Sequence, residues 1–193
     1  CFSFYPTKNL GTMGDGGALW TPYKTLYKFL KQAVHYGEGA KFRSEFVSGH
    51  SRLPEIQAGI LNIYLQKIKK DFSRRKRVFT LYQEYFKKYG VLSKVKILYQ
   101  NKESDPILHQ FVIQARRRDQ LKSYLKRKGI DSFIHYPYPI HLLPAFSYLG
   151  YKVGSFPNSE RLCKKILSLP FHPYLSKKQI DFIVKSIRQF YYG

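Results

Sequence analysis

Lys8 stands between Thr7 and Asn9 in "YPTKNLGTMGDGG", a turn-rich stretch that follows the short apolar run "CFSF". A primary amine acts as a nucleophile or a proton carrier only while it is uncharged. With the ordinary lysine pKa of about 10.4, nearly all of it is ammonium at neutral pH, so chemistry at Lys8 needs surroundings that favour the neutral or imine form. Three features distinguish it from an average loop lysine. It follows a strand expected to be buried, and sites in α/β folds lie at strand ends. Ser3 and Thr7 bring hydroxyls within a few positions, and Gly11, Gly14, Gly16 and Gly17 let backbone pass close to another group. On these features alone the alternative stays open, that Lys8 is a solvated charge.

A second group, His135, Tyr136 and His141, falls in the loop "HYPYPIH". In isolation these are ordinary polar loop residues. The six histidines are scattered and neither Cys1 nor Cys163 has ligand spacing, so no metal site is expected.

The elements that would carry these residues follow from periodicity. "CFSF" and "ALWT" read as strands flanking the lysine loop, and 22–35 as a helix with Leu26, Phe29, Leu30 and Val34 on one stripe. "YGEGAKFRSEFVSGHSR" reads as a long polar loop, of a length that usually has a function. Residues 53–89 give the longest helical signal, kinked or straight, with Ile56, Ile60, Tyr64, Ile68, Phe72, Phe79, Tyr82 and Phe86 opposite a basic face. Beyond it, "VKILY", "ILHQFVIQA" and "IDSFIHY" read as strands, while "RRRDQLKSYLKRKG", "FPNSERLCKKIL" and "SKKQIDFIVKSIRQFYY" read as helices. The last opens with a capping box, Ser176 and Gln179, and buries Ile180, Ile183, Val184 and Ile187. Three segments are expected: 1–52, 53–90 as a connecting helical stretch, and 91–193 as a small α+β domain.

Composition sets the outer limits. At 193 residues, with 44% hydrophobic and 17% aromatic residues, the chain can bury a core and is not expected to be disordered. Its net charge of +22 would draw nucleic acid, anionic membrane or phosphorylated small molecules, without choosing among them. The clusters "RRKR" at 74–77 and "RRR" at 116–118 read as solvated helix faces, since no RNA-binding sheet signature or finger spacing accompanies them. No apolar run approaches the roughly 20 residues that span a bilayer. Two cysteines make no disulfide framework, so a reducing cytoplasm is the expected setting.

"SFYPTKNLGTMGDGGALWT" resembles the lysine motif of the DegT-type nucleotide-sugar aminotransferases, pyridoxal-phosphate enzymes of the aspartate aminotransferase fold (fold type I). "SRLPEIQAGIL" resembles the second signature of that family, usually written with Asp where Pro54 stands, and the stretch from "HYPYPIH" to "IDFIV" resembles its C-terminal segment. The resemblance implies an α/β fold comprising the end of a large cofactor-binding domain and a complete small α+β domain. It also implies upstream sequence, absent here, with an acidic partner for the pyridine nitrogen, a stacking aromatic and a phosphate-binding turn.

Carried over residue by residue, the resemblance makes Lys8 the amine that forms an imine with pyridoxal 5'-phosphate and shuttles protons during transamination. Relatives with histidine there are dehydratases, so Lys8 favours transamination. Ser3 matches a serine that binds the cofactor phosphate. His50 stands where the family usually has an asparagine that reaches the phosphate across a dimer, and its ring can still donate. Arg52 matches a recurrent arginine, either an anion contact for substrate or a structural pair. His135 and Tyr136 are implied to touch the sugar, His141 less so. The implied partners are a nucleotide-linked keto-sugar, an amino donor (glutamate in most of the family) and a second subunit, with neither nucleic acid nor membrane. The chain alone is expected to be inactive. A catalytically dead remnant and a basic nucleic-acid-binding module are the competing readings.

Overall fold

The computed structural model describes residues 1–98 and 106–193, so Tyr99 of the expected strand "VKILY" lies outside the described residues. The chain divides into two compact units, Cys1–Lys69 and Lys70–Gly193. Its architecture is mixed α/β.

In the first unit, β1 (Phe2–Ser3) pairs antiparallel with β2 (Gly17–Ala18), Phe2 opposite Ala18. The expectation of a buried strand is corrected here: Phe2 is 61% exposed. Among the described residues β1 pairs only with β2, so its outer edge has no partner strand. An open groove of about 490 Å³ runs beside it, lined by Phe2, Ala18, Leu19, Tyr27, Leu30 and Val34.

Helix α1 (Lys24–Ala33) forms where the apolar period predicts, yet buries no residue in this chain. The stretch expected as an irregular loop contains a hairpin, β3 (Glu38–Ala40) with β4 (Arg43–Ser44). Gly37 makes its entry possible. It sits at φ +70°, and a Cβ there would lie 2.1 Å from the Phe46 carbonyl oxygen, so no other residue fits. The long helical signal resolves into α2 (Glu55–Leu65) and α3 (Ile68–Lys88), separated where Lys67 N donates to Tyr64 O in a tight turn. Among the described residues no helix is long and apolar enough to cross a membrane.

The second unit is built on a three-stranded antiparallel sheet, β5 (Val95–Ile97), β6 (Phe111–Ala115) and β7 (Ile166–Leu169), with β6 central. Along β6 the burial alternates, placing Phe111, Ile113 and Ala115 on the core face. Phe111 anchors an aromatic cluster. Tyr82 of α3 stacks on it at 4.3 Å, and Phe79 meets it edge-on at 5.3 Å. Helix α4 (Arg118–Arg127) packs with α6 (Lys177–Tyr192), and both send leucine or isoleucine into the same core. The capping box is formed, and Ile180, Ile183, Val184 and Ile187 are buried as their spacing predicts.

Three expectations change. The helix expected over "FPNSERLCKKIL" ends early as α5 (Pro157–Cys163), and the residues after it become β7. Ala115 N donates to Lys165 O at 2.9 Å, which captures the chain onto β6. The strand expected at "IDSFIHY" reduces to one bridge, Phe133 to Ser168. Two arginines from the clusters read as solvated are buried instead. Arg118 donates to the carbonyls of Cys163 and Ile166 at 3.1 and 2.9 Å, and Arg75 to that of His109 at 3.4 Å.

Candidate functional site

The Lys8 loop is closed by its own backbone. Phe4 N donates to Gly16 O and Thr12 N to Phe4 O, both at 2.8 Å, so the chain leaves β1, makes its turn and returns to the point it left. Within this turn Lys8 N donates to Tyr5 O at 2.8 Å, and Tyr5 N donates to Ser3 Oγ at 3.4 Å. Ser3 and Lys8, singled out separately, are thus tied to the same residue. The Lys8 side chain is exposed.

Two residues that the sequence reading passed over stabilise the loop. Thr12 is buried, and its hydroxyl donates to the carbonyl of Phe4 or of Gly14. Gln57, in the first turn of α2, accepts the Met13 N–H at 3.0 Å. The glycines have separate functions. A Cβ on Gly11 would stand 2.8 Å from Tyr5 O and 2.9 Å from Pro6 O, so the tight turn carrying Lys8 excludes alanine there.

His50 and Arg52 are brought together, with Arg52 Nε 2.6 Å from His50 Nε2. A third member joins them that sequence reasoning missed: Arg52 Nη1 is 3.2 Å from His35 Nε2. His35 and His50 form an antiparallel bridge pair, and Nδ1 of His35 lies 3.5 Å from Glu38 Oε2. The available sequence signal was the turn "VHYG" after α1, which marks a chain reversal but not its partner.

In the second unit, His135 Nδ1 is 2.9 Å from the hydroxyl of Ser168, a buried residue of β7, and Tyr136 beside it is 71% exposed. The rings meet edge-on at 5.7 Å. His141 differs from both. It is buried, 3.1 Å from Glu160, whose carboxylate also accepts N–H groups of Gly154 at 2.9 Å and Phe156 at 3.3 Å. Burial pushes the Glu160 pKa up, but the bonds from Gly154, Phe156 and His141 outweigh it and leave the carboxyl below its ordinary value.

Taken unit by unit, the geometry offers an exposed amine on a closed turn with a hydroxyl nearby, an arginine clamping two imidazoles, and an imidazole pinned beside an exposed phenol.

Comparison with known proteins places these features in context. Residues 1–188 match the family described as DegT/DnrJ/EryC1/StrS aminotransferase. The chain is 37% identical over 188 residues to dTDP-3-amino-3,4,6-trideoxy-alpha-D-glucose transaminase of Streptomyces venezuelae, covering 97% of this chain and 49% of the relative. It is 34% identical over 191 residues to dTDP-3-amino-3,6-dideoxy-alpha-D-galactopyranose transaminase of Aneurinibacillus thermoaerophilus, covering 99% and 51%. Among solved structures, DesV of S. venezuelae in complex with a ketimine intermediate superposes with a TM-score of 0.88 at 36% identity, covering 100% of this chain and 51% of that one. The chain spans about half the length of the curated relatives it matches.

Proposed function

This chain belongs to the DegT/DnrJ/EryC1/StrS aminotransferase family, and from that premise we propose that it is the lysine-bearing portion of a pyridoxal-phosphate-dependent aminotransferase. The acceptor in this reading is a nucleotide-linked keto-sugar, and glutamate is the amino donor. The names of the two relatives, both transaminases of dTDP-linked sugars, support the substrate class.

The observation that carries the proposal is the Lys8 turn: an exposed amine on backbone closed by Tyr5 and sealed by Gly11. The residues present fit what the cofactor asks of this part of the protein. An aldehyde needs an amine, which Lys8 has. A phosphate needs donors, and the Ser3 hydroxyl, which accepts from Tyr5 N, keeps its own proton to donate. The His50 ring supplies a second donor. When bound, pyridoxal phosphate supplies a reactive carbonyl carbon and an electron sink.

The protein's own residues hold and move protons around it. Lys8 Nζ is the group that would hold the cofactor. Its free, neutral amine would serve as the base that takes up and returns a proton. Arg52 commits two of its five donors to imidazoles and keeps three for a substrate anion. His135, with Nδ1 tied to Ser168, and the exposed Tyr136 are the sugar contacts in this reading.

A cytoplasmic homodimer completes the picture. Phe42 at the hairpin tip and Val47 are 87% and 103% exposed, apolar surface of the kind that interfaces cover. Cys1 and Cys163 are both free thiols. In this reading the chain, which spans about half the length of the relatives it matches, is inactive by itself.

The test uses the full polypeptide that contains this chain. Borohydride reduction with pyridoxal phosphate present is expected to fix the cofactor mass on the Lys8 peptide. Lys8→Ala should lose both the label and amino transfer. Full activity in Lys8→Ala overturns the proposal.

A further inference from the structure

His35 and His50 are held side by side by backbone. On either side of their bridge, Tyr36 N donates to Gly49 O at 2.9 Å and Ser51 N to Val34 O at 3.0 Å. Residues opposite each other in an antiparallel pair project to the same side. Ser48 Oγ donates to Ala33 O at 2.6 Å and secures the same strand reversal. The Tyr36 ring contacts both imidazoles, at 5.9 Å from His35 and 5.4 Å from His50.

Arg52 then constrains the protons. A guanidinium donates and never accepts, so both imidazole Nε2 atoms facing it must be acceptors. A neutral imidazole that accepts at one nitrogen carries its proton on the other. Both rings therefore bear the proton on Nδ1. For His35 that proton faces the Glu38 carboxylate, whose Oε2 is 3.5 Å from Nδ1. For His50 it becomes the ring's donor.

We propose that Arg52 is a positioning residue that sets the tautomer and plane of His50, so that the ring offers Nδ1–H to a phosphate group. The inference rests on the reading of His50 as a phosphate contact. It also explains how a histidine serves there. Clamped in this way, the ring has one acceptor, satisfied by Arg52, and one donor directed elsewhere, the same pair of functions as a side-chain amide. A protonated ring would lose the acceptor and place two like charges in contact, so the device needs a neutral His50.

The test is a long-range proton–nitrogen NMR experiment on the labelled full polypeptide that contains this chain, at about pH 8, where an ordinary imidazole is neutral. The wild type is expected to show His35 and His50 each as a single tautomer with the proton on Nδ1. Arg52→Met should lose that single-tautomer signature at both rings, whereas His35→Ala should leave His50 unchanged. A wild-type His50 protonated on Nε2, or an Arg52→Met variant with an unaltered His50 pattern, overturns the inference. Titration with inorganic phosphate separates this from the broader reading. Phosphate should shift the His50 signals in wild type and in His50→Asn shift the new side-chain amide, but leave no response at position 50 in His50→Leu. If the tautomer is as expected and phosphate moves nothing at position 50, the assignment of His50 to phosphate is overturned and Arg52 is left a structural clamp.

Discussion

Gln57 reaches back from the first turn of α2 to accept the backbone N–H of Met13 at 3.0 Å, joining residues 44 positions apart. The bond links two of the three sequence blocks that carry the family likeness, the lysine loop and the stretch "SRLPEIQAGIL". Replacing Gln57 with alanine removes one hydrogen bond of about 1 kcal/mol. Amide exchange at Met13 is then expected to rise about fivefold, with little change in the second unit. Unaltered exchange at Met13 would show that the bond does not hold the loop.

Gly11→Ala tests the turn from the other side. The new methyl would meet two backbone carbonyl oxygens, those of Tyr5 and Pro6, and neither can rotate away. Overpacking of this kind costs about 1–3 kcal/mol. The expected outcome is a lower unfolding midpoint together with weaker borohydride labelling of Lys8 in the full polypeptide. Normal labelling would mean that the turn tolerates opening without moving the amine.

In the second unit, Tyr82 combines stacking on Phe111 with a hydroxyl that donates to Pro170 O at 2.7 Å. Burial raises the pKa of this hydroxyl, keeping it a neutral donor. Tyr82→Phe leaves the Pro170 carbonyl without that bond and should cost about 1–2 kcal/mol. Phe111→Ala empties the centre of the aromatic cluster and should cost about 3–5 kcal/mol. Denaturant titration of the chain measures both, and an equal effect from the two would contradict this division.

Glu160 predicts an acid-sensitive region. Its folded pKa lies below the unfolded value, so the carboxylate contributes stability that is present above the unfolded pKa of about 4.3. That contribution is lost as pH falls through the lower folded value. Asp181 behaves in the same sense, its pKa lowered by Lys185 and by the Tyr89 hydroxyl. Glu160→Gln should therefore be less stable than wild type near pH 6, and the gap should narrow towards pH 3. A gap that stays constant between those two pH values would rule out the linkage.

Arg118 separates structural from surface charge. Its guanidinium is buried and joins the carbonyls of Cys163 and Ile166 at the entry to β7. Arg118→Met leaves two buried acceptors unpaired and should cost about 1–3 kcal/mol, whereas Arg77→Met, on an exposed residue of α3, should change stability by less than about 0.5 kcal/mol.

Much of the fold was readable because its signals are local. The capping box at Ser176 and Gln179 and the isoleucine stripe of α6 need only a few residues of context. So does the alternation that marks β6. The strand β7 was not readable, because "ILSL" follows a helical pattern and becomes a strand only by pairing with β6, far away in the chain. Likewise the arginine clusters look alike as charges, and only packing decided that Arg75 and Arg118 would be buried while their neighbours stayed wet.

The candidate site divides the same way. By itself the sequence determined the amine at position 8, the glycines that allow its turn and, through blocks of neighbouring residues in a fixed order, the family. Those properties depend on residue type and short spacing. Tertiary structure alone decided that His35 lies opposite His50, that Arg52 clamps both, and that Gln57 holds the lysine loop. Each of these depends on two segments meeting after the chain has reversed, and the place where they meet is set by backbone pairing and packing, which residue order does not display.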